Sequence, residues 1–140
     1  MFKEDLKTGK VAEQECLSAL KKRNPDATFR FNESKDIKKL REYDIAMKHK
    51  NDKVVRFEVK WDRQAHLTGN VAIELKCVRH TKADVFVYKI EDELLGVTTY
   101  DICRLLNSRQ GRMVYGGDRN ASYMKLVPLE SFRKLSVLIN

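Results

Sequence analysis

The sequence predicts an α/β or α+β architecture, a β-sheet covered by helices, and three observations carry that expectation. Cys16, Leu17 and Leu20 form an apolar stripe at helical spacing near the start of the chain. Val54 to Trp61 alternates apolar and polar, as a strand with one buried face does. Asp84 to Ile90 is a near-continuous apolar run, as expected of a central strand covered on both sides. Helix, several strands, helix and strands again describe a sheet with helices packed on it.

The elements follow in order. A first helix starts at Phe2 or Lys10 and runs to Arg23, where Asn24-Pro25-Asp26 stops it. Thr28 to Phe31 reads as a short strand, and Asn32 to Glu42 as a polar loop rich in Lys and Arg. Tyr43 to Lys48 and Val54 to Trp61 are two strands around the turn His49-Lys50-Asn51-Asp52-Lys53. Val71 to Cys77 alternates and predicts a half-buried strand, followed by the apolar run to Ile90. Thr98 or Thr99 can cap a helix through Ser108 that turns Ile102, Leu105 and Leu106 inward. The tail predicts a strand at Arg112 to Tyr115, a turn at Gly116-Gly117-Asp118, a strand at Tyr123 to Val127 and a short helix after Pro128. No linker or repeat interrupts the 140 residues, so a single domain is expected.

Composition narrows the function. A hydrophobic fraction of 42% argues against disorder. No apolar run approaches the length of a membrane span. The start, Met-Phe-Lys-Glu-Asp-Leu-Lys, has no apolar segment, so no signal peptide and a cytoplasmic location are expected, the host cytoplasm if the chain is phage-encoded. Cys16, Cys77 and Cys103 are odd in number and widely spaced, which fits a reduced protein. A net charge of +8 favours a polyanion partner, nucleic acid first and an acidic membrane second, over a basic domain that binds nothing.

Two sets of carboxylates stand where they are costly. Glu13, Cys16, Leu17 and Leu20 share one helix face, so Glu13 points inward or lies at the edge of the stripe and reaches water. Glu15 groups with Ser18 and Lys22 on the wet face. In the strand Val54 to Trp61, Val55, Phe57, Val59 and Trp61 take one face, and Arg56, Glu58 and Lys60 the other. With the turn centred on Asn51, Asp44 lies across from Glu58 on that second face. Directly opposed carboxylates repel, and a shared hard cation such as Mg²⁺ relieves them. The alternative is a solvated polar face where Glu58 meets Lys48 or Lys60.

The pattern Gly9-Lys10-Val11-Ala12-Glu13, then Tyr43-Asp44, then Glu58-Val59-Lys60 resembles the PD-(D/E)XK nuclease superfamily. The Gly-x-x-x-Glu start and the spacings are similar to archaeal-type Holliday-junction resolvases. The stretches Trp61-Asp62, Thr68-Gly69-Asn70, Ile73-Glu74 and Thr81-Lys82-Ala83-Asp84 look like small phage-encoded members. Tyr43 stands where the family name has proline, a position that supplies no ligand. The resemblance covers the first two thirds of the chain and implies the restriction-endonuclease-like fold, a central mixed β-sheet flanked by helices. It also implies that Asp44, Glu58 and the Val59 carbonyl hold Mg²⁺ or Mn²⁺. Glu13 then contributes through a water or a second metal, and Lys60 orients or deprotonates the attacking water. No covalent nucleophile is required, which suits a chain without a Ser-His-Asp or Cys-His arrangement.

Further features have both a functional and a blander reading. Lys35, Lys38, Lys39 and Arg41 precede Asp44 and can grip phosphates, or form a solvated loop. Arg63, Gln64 and His66 are weaker candidates of the same kind. Asp62 and Glu74 are candidate outer carboxylates, or simply wet. Cys77 and His80 lack the two further ligands a zinc site needs. Gly116-Gly117 is not followed by the Gly-Lys-Ser/Thr of a phosphate loop. Together with these residues, the resemblance implies a Mg²⁺-dependent DNA endonuclease, Holliday-junction-resolvase-like, acting on branched DNA as a homodimer. The alternatives are a phage nicking or degradative nuclease, and a DNA-binding module that kept the fold without the activity.

Overall fold

The structure is a computed structural model describing residues 2–116 and 122–140, with side chains from residue 9 onward. Its elements are α1 (Phe2–Arg23), β1 (Thr28–Phe31), α2 (Ile37–Leu40), β2 (Ile45–Lys48), β3 (Val54–Trp61), α3 (Ala65–Thr68), β4 (Asn70–Glu74), α4 (Leu75–His80), β5 (Val85–Ile90), β6 (Glu93–Thr98), α5 (Thr99–Asn107), β7 (Arg112–Gly116), β8 (Ser122–Pro128), α6 (Leu129–Leu135) and β9 (Val137–Leu138). Six strands form the main sheet in the order β1-β2-β3-β5-β6-β9. The β3–β5 pair is parallel and the other pairs are antiparallel, so the sheet is mixed. The crossover from β3 to β5 carries α3, β4 and α4. Strand β4 leaves the main sheet to build a second, three-stranded one in the order β4-β8-β7.

The sheet is buried on both faces, which accounts for the unbroken apolar run of β5. Val87 joins a cluster with Ile45, Met47, Phe57, Val59 and Leu94 beneath Ala12, Cys16, Ala19 and Leu20 of α1. Phe86, Tyr88 and Ile90 face the other way, against Ile102 and Leu105 of α5, Phe132 of α6, and Val71, Ile73 and Val127 of the small sheet. The β2–β3 hairpin has the expected register, with Ile45 opposite Phe57. Its turn is closed by the His49 N–H donating to the Lys53 carbonyl (2.8 Å), with Asp52 in the left-handed region, which aspartate tolerates. Thr98 caps α5 by accepting from the Asp101 N–H at 3.1 Å.

Four local expectations change. The segment 32–42 is not all loop, because Asp36 caps the short helix α2 by accepting from the Lys38 N–H (3.0 Å). The strand expected over Val71 to Cys77 ends at Glu74, and α4 follows. Leu75 and Val78 lie three apart and line a groove with Leu106 and Met113, a helical use of residues whose alternation mimics a strand. Strand β6 was not expected, since it is joined to β5 by Glu91-Asp92, which lacks the Asn-Gly or Asp-Gly hairpin signal. The two-residue strand β9 is likewise unforeseen. The turn expected at Gly116-Gly117-Asp118 lies, from Gly117 on, outside the described residues. No helix among the described residues is long and apolar enough to cross a membrane.

Candidate active site

The site forms where β2 parts from β3. Asp44 donates its backbone N–H to the Phe57 carbonyl at 2.8 Å, yet Ile45 is the residue registered against Phe57. Two residues of one strand thus share one residue of the other, as in a β-bulge, a device that re-aims side chains beside functional sites. A regular hairpin puts Asp44 squarely opposite Glu58 on one face. Here the extra residue turns Asp44 toward α1, where Ile45 also packs. The chain before it peels away, and the Glu42 carbonyl accepts instead from the Lys82 N–H (2.7 Å) and the Thr81 hydroxyl (3.1 Å). The Val59 N–H donates to Asp44 Oδ2 at 2.7 Å. The Val59 carbonyl lies on the same strand edge as that N–H.

Glu58 and Lys60 occupy the opposite face of β3. Glu58 is 7% exposed, so the solvated polar face is ruled out for it. The Cys77 thiol donates toward Glu58 Oε1 at 3.6 Å, the Thr81 hydroxyl, whose single proton is shared with the Glu42 carbonyl, lies 3.4 Å from Oε2, and Lys60 Nζ stands 3.8 Å from Oε1. Cys77 sits on α4 and Thr81 just after it, so this short helix supports the carboxylate. Burial works against the Lys60 ammonium, but the acidic groups around it, Glu58 and Glu74 among them, outweigh that and hold it charged. Burial, with Glu58 and Glu74 nearby, pushes the Cys77 thiol up to about 12, so it is a neutral donor and not a thiolate.

Glu13 reaches the same place from α1. Its side chain is half-buried, inward of the wet face, as the helical spacing implies. Burial, then the charge of Asp44 and a hydrogen bond to it, push Glu13 up to about 7. Burial also raises Asp44, against the opposing effects of the Val59 N–H, Lys60 and Glu13. Burial and the Asp44 charge raise Glu58 to about 7. Three carboxylates therefore repel one another across the fork between β2 and β3, and burial together with this repulsion favours a proton on Glu13.

This has a sign in stability. Glu13 and Glu58 bind protons more tightly in the folded chain than at their ordinary value near 4.5. Folded protein then carries more protons than unfolded protein between about pH 4.5 and 7, so stability falls as pH rises through that window and levels off above it. Thermal melts in EDTA are expected to show a Tm higher at pH 5 than at pH 8, with the difference reduced by Mg²⁺. An equal Tm in EDTA at both pH values would contradict the clustering.

The donor set is all hard oxygen, which suits Mg²⁺ or Mn²⁺ and not a soft metal. Among the described residues no three acidic, His or Cys side chains already surround a common point. Asp44 instead faces Glu13 and the Val59 N–H, and Glu58 faces Cys77 and Thr81.

The remaining candidates divide. Lys35, Lys38, Lys39 and Arg41 are exposed on α2 and its flanks. Asn32 ties this segment down, its Nδ2 donating to the Lys39 carbonyl (2.8 Å) and to the Tyr43 carbonyl (2.9 Å) next to Asp44. Arg63 lies over the Trp61 ring, 4.5 Å from its centroid. Asp62 is engaged by the backbone. Its Oδ1 accepts from Gln64 and Ala65 N–H and its Oδ2 from Ala72 N–H, so it fastens α3 to β4. Glu74, beside Lys60, fits the outer role better. Glu15 is not simply wet, because it pairs with the buried Lys89. Lys89, the one charged residue inside the apolar run of β5, was the sequence signal for that pair. Reading from sequence also missed Cys77 and Thr81 as supports of Glu58.

The chain matches no family model and no curated protein. Among solved structures it is similar to Hjc, a Holliday junction resolvase from Archaeoglobus fulgidus, with a TM-score of 0.59 at 12% identity over 94% of this chain and 96% of that one. A fusselovirus nuclease aligns with a TM-score of 0.49 at 16% identity over 92% of this chain and 82% of that one. The central mixed sheet flanked by helices, with α1 on one face, is thus the restriction-endonuclease-like fold of the archaeal resolvase.

Proposed function

We propose that this chain is a divalent-metal-dependent DNA endonuclease that hydrolyses phosphodiester bonds, with branched DNA as its preferred substrate. The observation that supports this most is the gathering of Glu13, Asp44 and Glu58, each with a raised affinity for protons, around the β2–β3 fork with Lys60 charged beside them. Such a cluster is unfavourable for folding alone and is explained by chemistry. Asp44, Glu58 and the Val59 carbonyl are the ligands in this reading, and Glu13 joins through a water or a second ion. When bound, the cation polarises a phosphoryl oxygen and lowers the pKa of water. Lys60 orients the attacking water and steadies charge on the phosphorane. Glu58 is kept in place for this by Cys77 and Thr81.

A monomer with one such centre cuts one strand. Resolving a four-way junction needs two cuts related by symmetry, so a C₂ homodimer completes the reading. Single-turnover rates on a four-way junction, a flap, a duplex and a single strand test the preference. The junction is expected to be cut fastest, with two opposed nicks. Equal rates on duplex and junction would make the chain a general nicking nuclease instead.

Lys35, Lys38, Lys39, Arg41 and Arg63 are the residues that meet phosphates in this reading. DNA affinity then falls linearly with salt on logarithmic axes, and Lys38→Ala/Lys39→Ala/Arg41→Ala reduces the slope by about 1 for each phosphate no longer neutralised. An unchanged slope would move the DNA surface elsewhere on the protein.

A further inference from the structure

The C-terminal third carries a feature that neither the metal centre nor the basic α2 segment uses. Tyr115 and Tyr123 face each other across the β7–β8 pair, with ring centroids 5.0 Å apart and planes at 62°. They are 65% and 61% exposed, so their packing buries little and does not explain them. Met113, two residues from Tyr115 and on the same strand face, is 49% exposed.

Strand β8 is anchored close to the pair. Lys125, on β8 two residues past Tyr123, is 4% exposed, and its Nζ donates to the carbonyls of Leu105 (2.8 Å), Leu106 (3.1 Å) and Ser108 (2.5 Å) at the end of α5. A cation there satisfies carbonyls the helix leaves open and pins β8 to the main fold. Helix α4 and strand β7 supply Lys76, Arg79 and Arg112 and no carboxylate, with Arg112 on the strand face opposite Met113 and Tyr115. Arg79 and Met113 line one groove. Helix α4 connects this region to the metal centre, because Cys77 of the same helix meets Glu58.

We propose that the Tyr115–Tyr123 pair is a second nucleic-acid contact that stacks on unpaired bases of the DNA held at the active site. Tyrosine rings offer π-faces, and a base offers its own face only when it is out of the duplex stack. The cations nearby hold the backbone on either side of such bases. Base faces are free in the single-stranded arm of a flap, and at a four-way junction where the central pairs open, but not along an intact duplex, so the pair gives the enzyme a means of preferring branched DNA. This inference rests on the reading of the chain as a DNA-acting enzyme.

Fluorescence anisotropy in EDTA separates the two, since binding is read without cleavage. A single-stranded oligonucleotide and a blunt duplex of equal length are titrated with wild type, Tyr115→Ala/Tyr123→Ala and Tyr115→Phe/Tyr123→Phe. The Ala pair is expected to lose on the order of tenfold or more in single-strand affinity and less than about twofold on duplex, and the Phe pair to retain the wild-type preference. Unchanged single-strand affinity in the Ala pair, or an equal loss on both DNAs, would overturn the proposal. So would unchanged single-strand affinity with a lost dimer in sedimentation, which would assign the patch to a second copy. A wild type that binds single strands through the tyrosines but cleaves nothing in Mg²⁺ would leave this stacking role standing and remove the nuclease reading. A wild type that cleaves while the Ala pair binds single strands normally would do the reverse.

Discussion

Asp44→Asn is expected to lose cleavage by on the order of 10³-fold, the upper range for removing one preorganised electrostatic group, while binding DNA as tightly as wild type or tighter. The substitution is nearly isosteric. The asparagine oxygen can still accept from the Val59 N–H, which now reaches Asp44 at 2.7 Å, and its amide can donate to Glu13. The bulge at the start of β2 is thereby preserved. The lost negative charge no longer opposes a phosphate or pushes up Glu13 and Glu58. The Tm in EDTA should therefore equal or exceed that of wild type. Cleavage at the wild-type rate would remove Asp44 from the reaction and the metal-dependent mechanism with it.

Glu13→Gln carries the second large effect. As an isolated structural feature, a half-buried carboxylate that must hold a proton against Asp44 is a liability, and its amide should be neutral or stabilising. The glutamine can donate to Asp44 as the protonated acid does. Fold and Tm are thus expected to be retained, while cleavage falls by on the order of 10² because the charge is missing when phosphate and cation are in place. Substitution of Glu15, two residues along α1, should leave the chemistry intact and lower the Tm instead, since its partner Lys89 is 7% exposed and would lose its counter-charge. A Glu13→Gln protein that cuts at the wild-type rate would show that the inward face of α1 serves packing alone.

Much of this centre was legible in the residues. Helical spacing placed Glu13 toward the sheet, and the turn at Asn51 placed β2 against β3 in the observed register. Strand alternation put Glu58 and Lys60 on the same face. What escaped depends on contacts distant in sequence. The bulge at Asp44 arises because residue 42 is drawn off by Thr81 and Lys82, which lie far along the chain. Helix α4 replaces the end of an apparent strand because as a helix it packs Cys77 and Val78 against the core beside Leu106. The second sheet requires β4 to pair with β8, which no local pattern announces. The resemblance to PD-(D/E)XK nucleases ends near Gly96, and so gave no purpose to Tyr115 and Tyr123.

The carboxylates at the β2–β3 fork are, in this reading, there to cut DNA with a divalent cation. The most direct test is incubation of the purified protein with a labelled four-way junction in Mg²⁺ and in EDTA, with products resolved on a denaturing gel. Discrete nicks are predicted in Mg²⁺, and none in EDTA or with Asp44→Asn. Folded protein that binds the junction but leaves it, a flap, a duplex and a single strand uncut in both Mg²⁺ and Mn²⁺ would contradict this, and would leave a DNA-binding module with the fold of a resolvase.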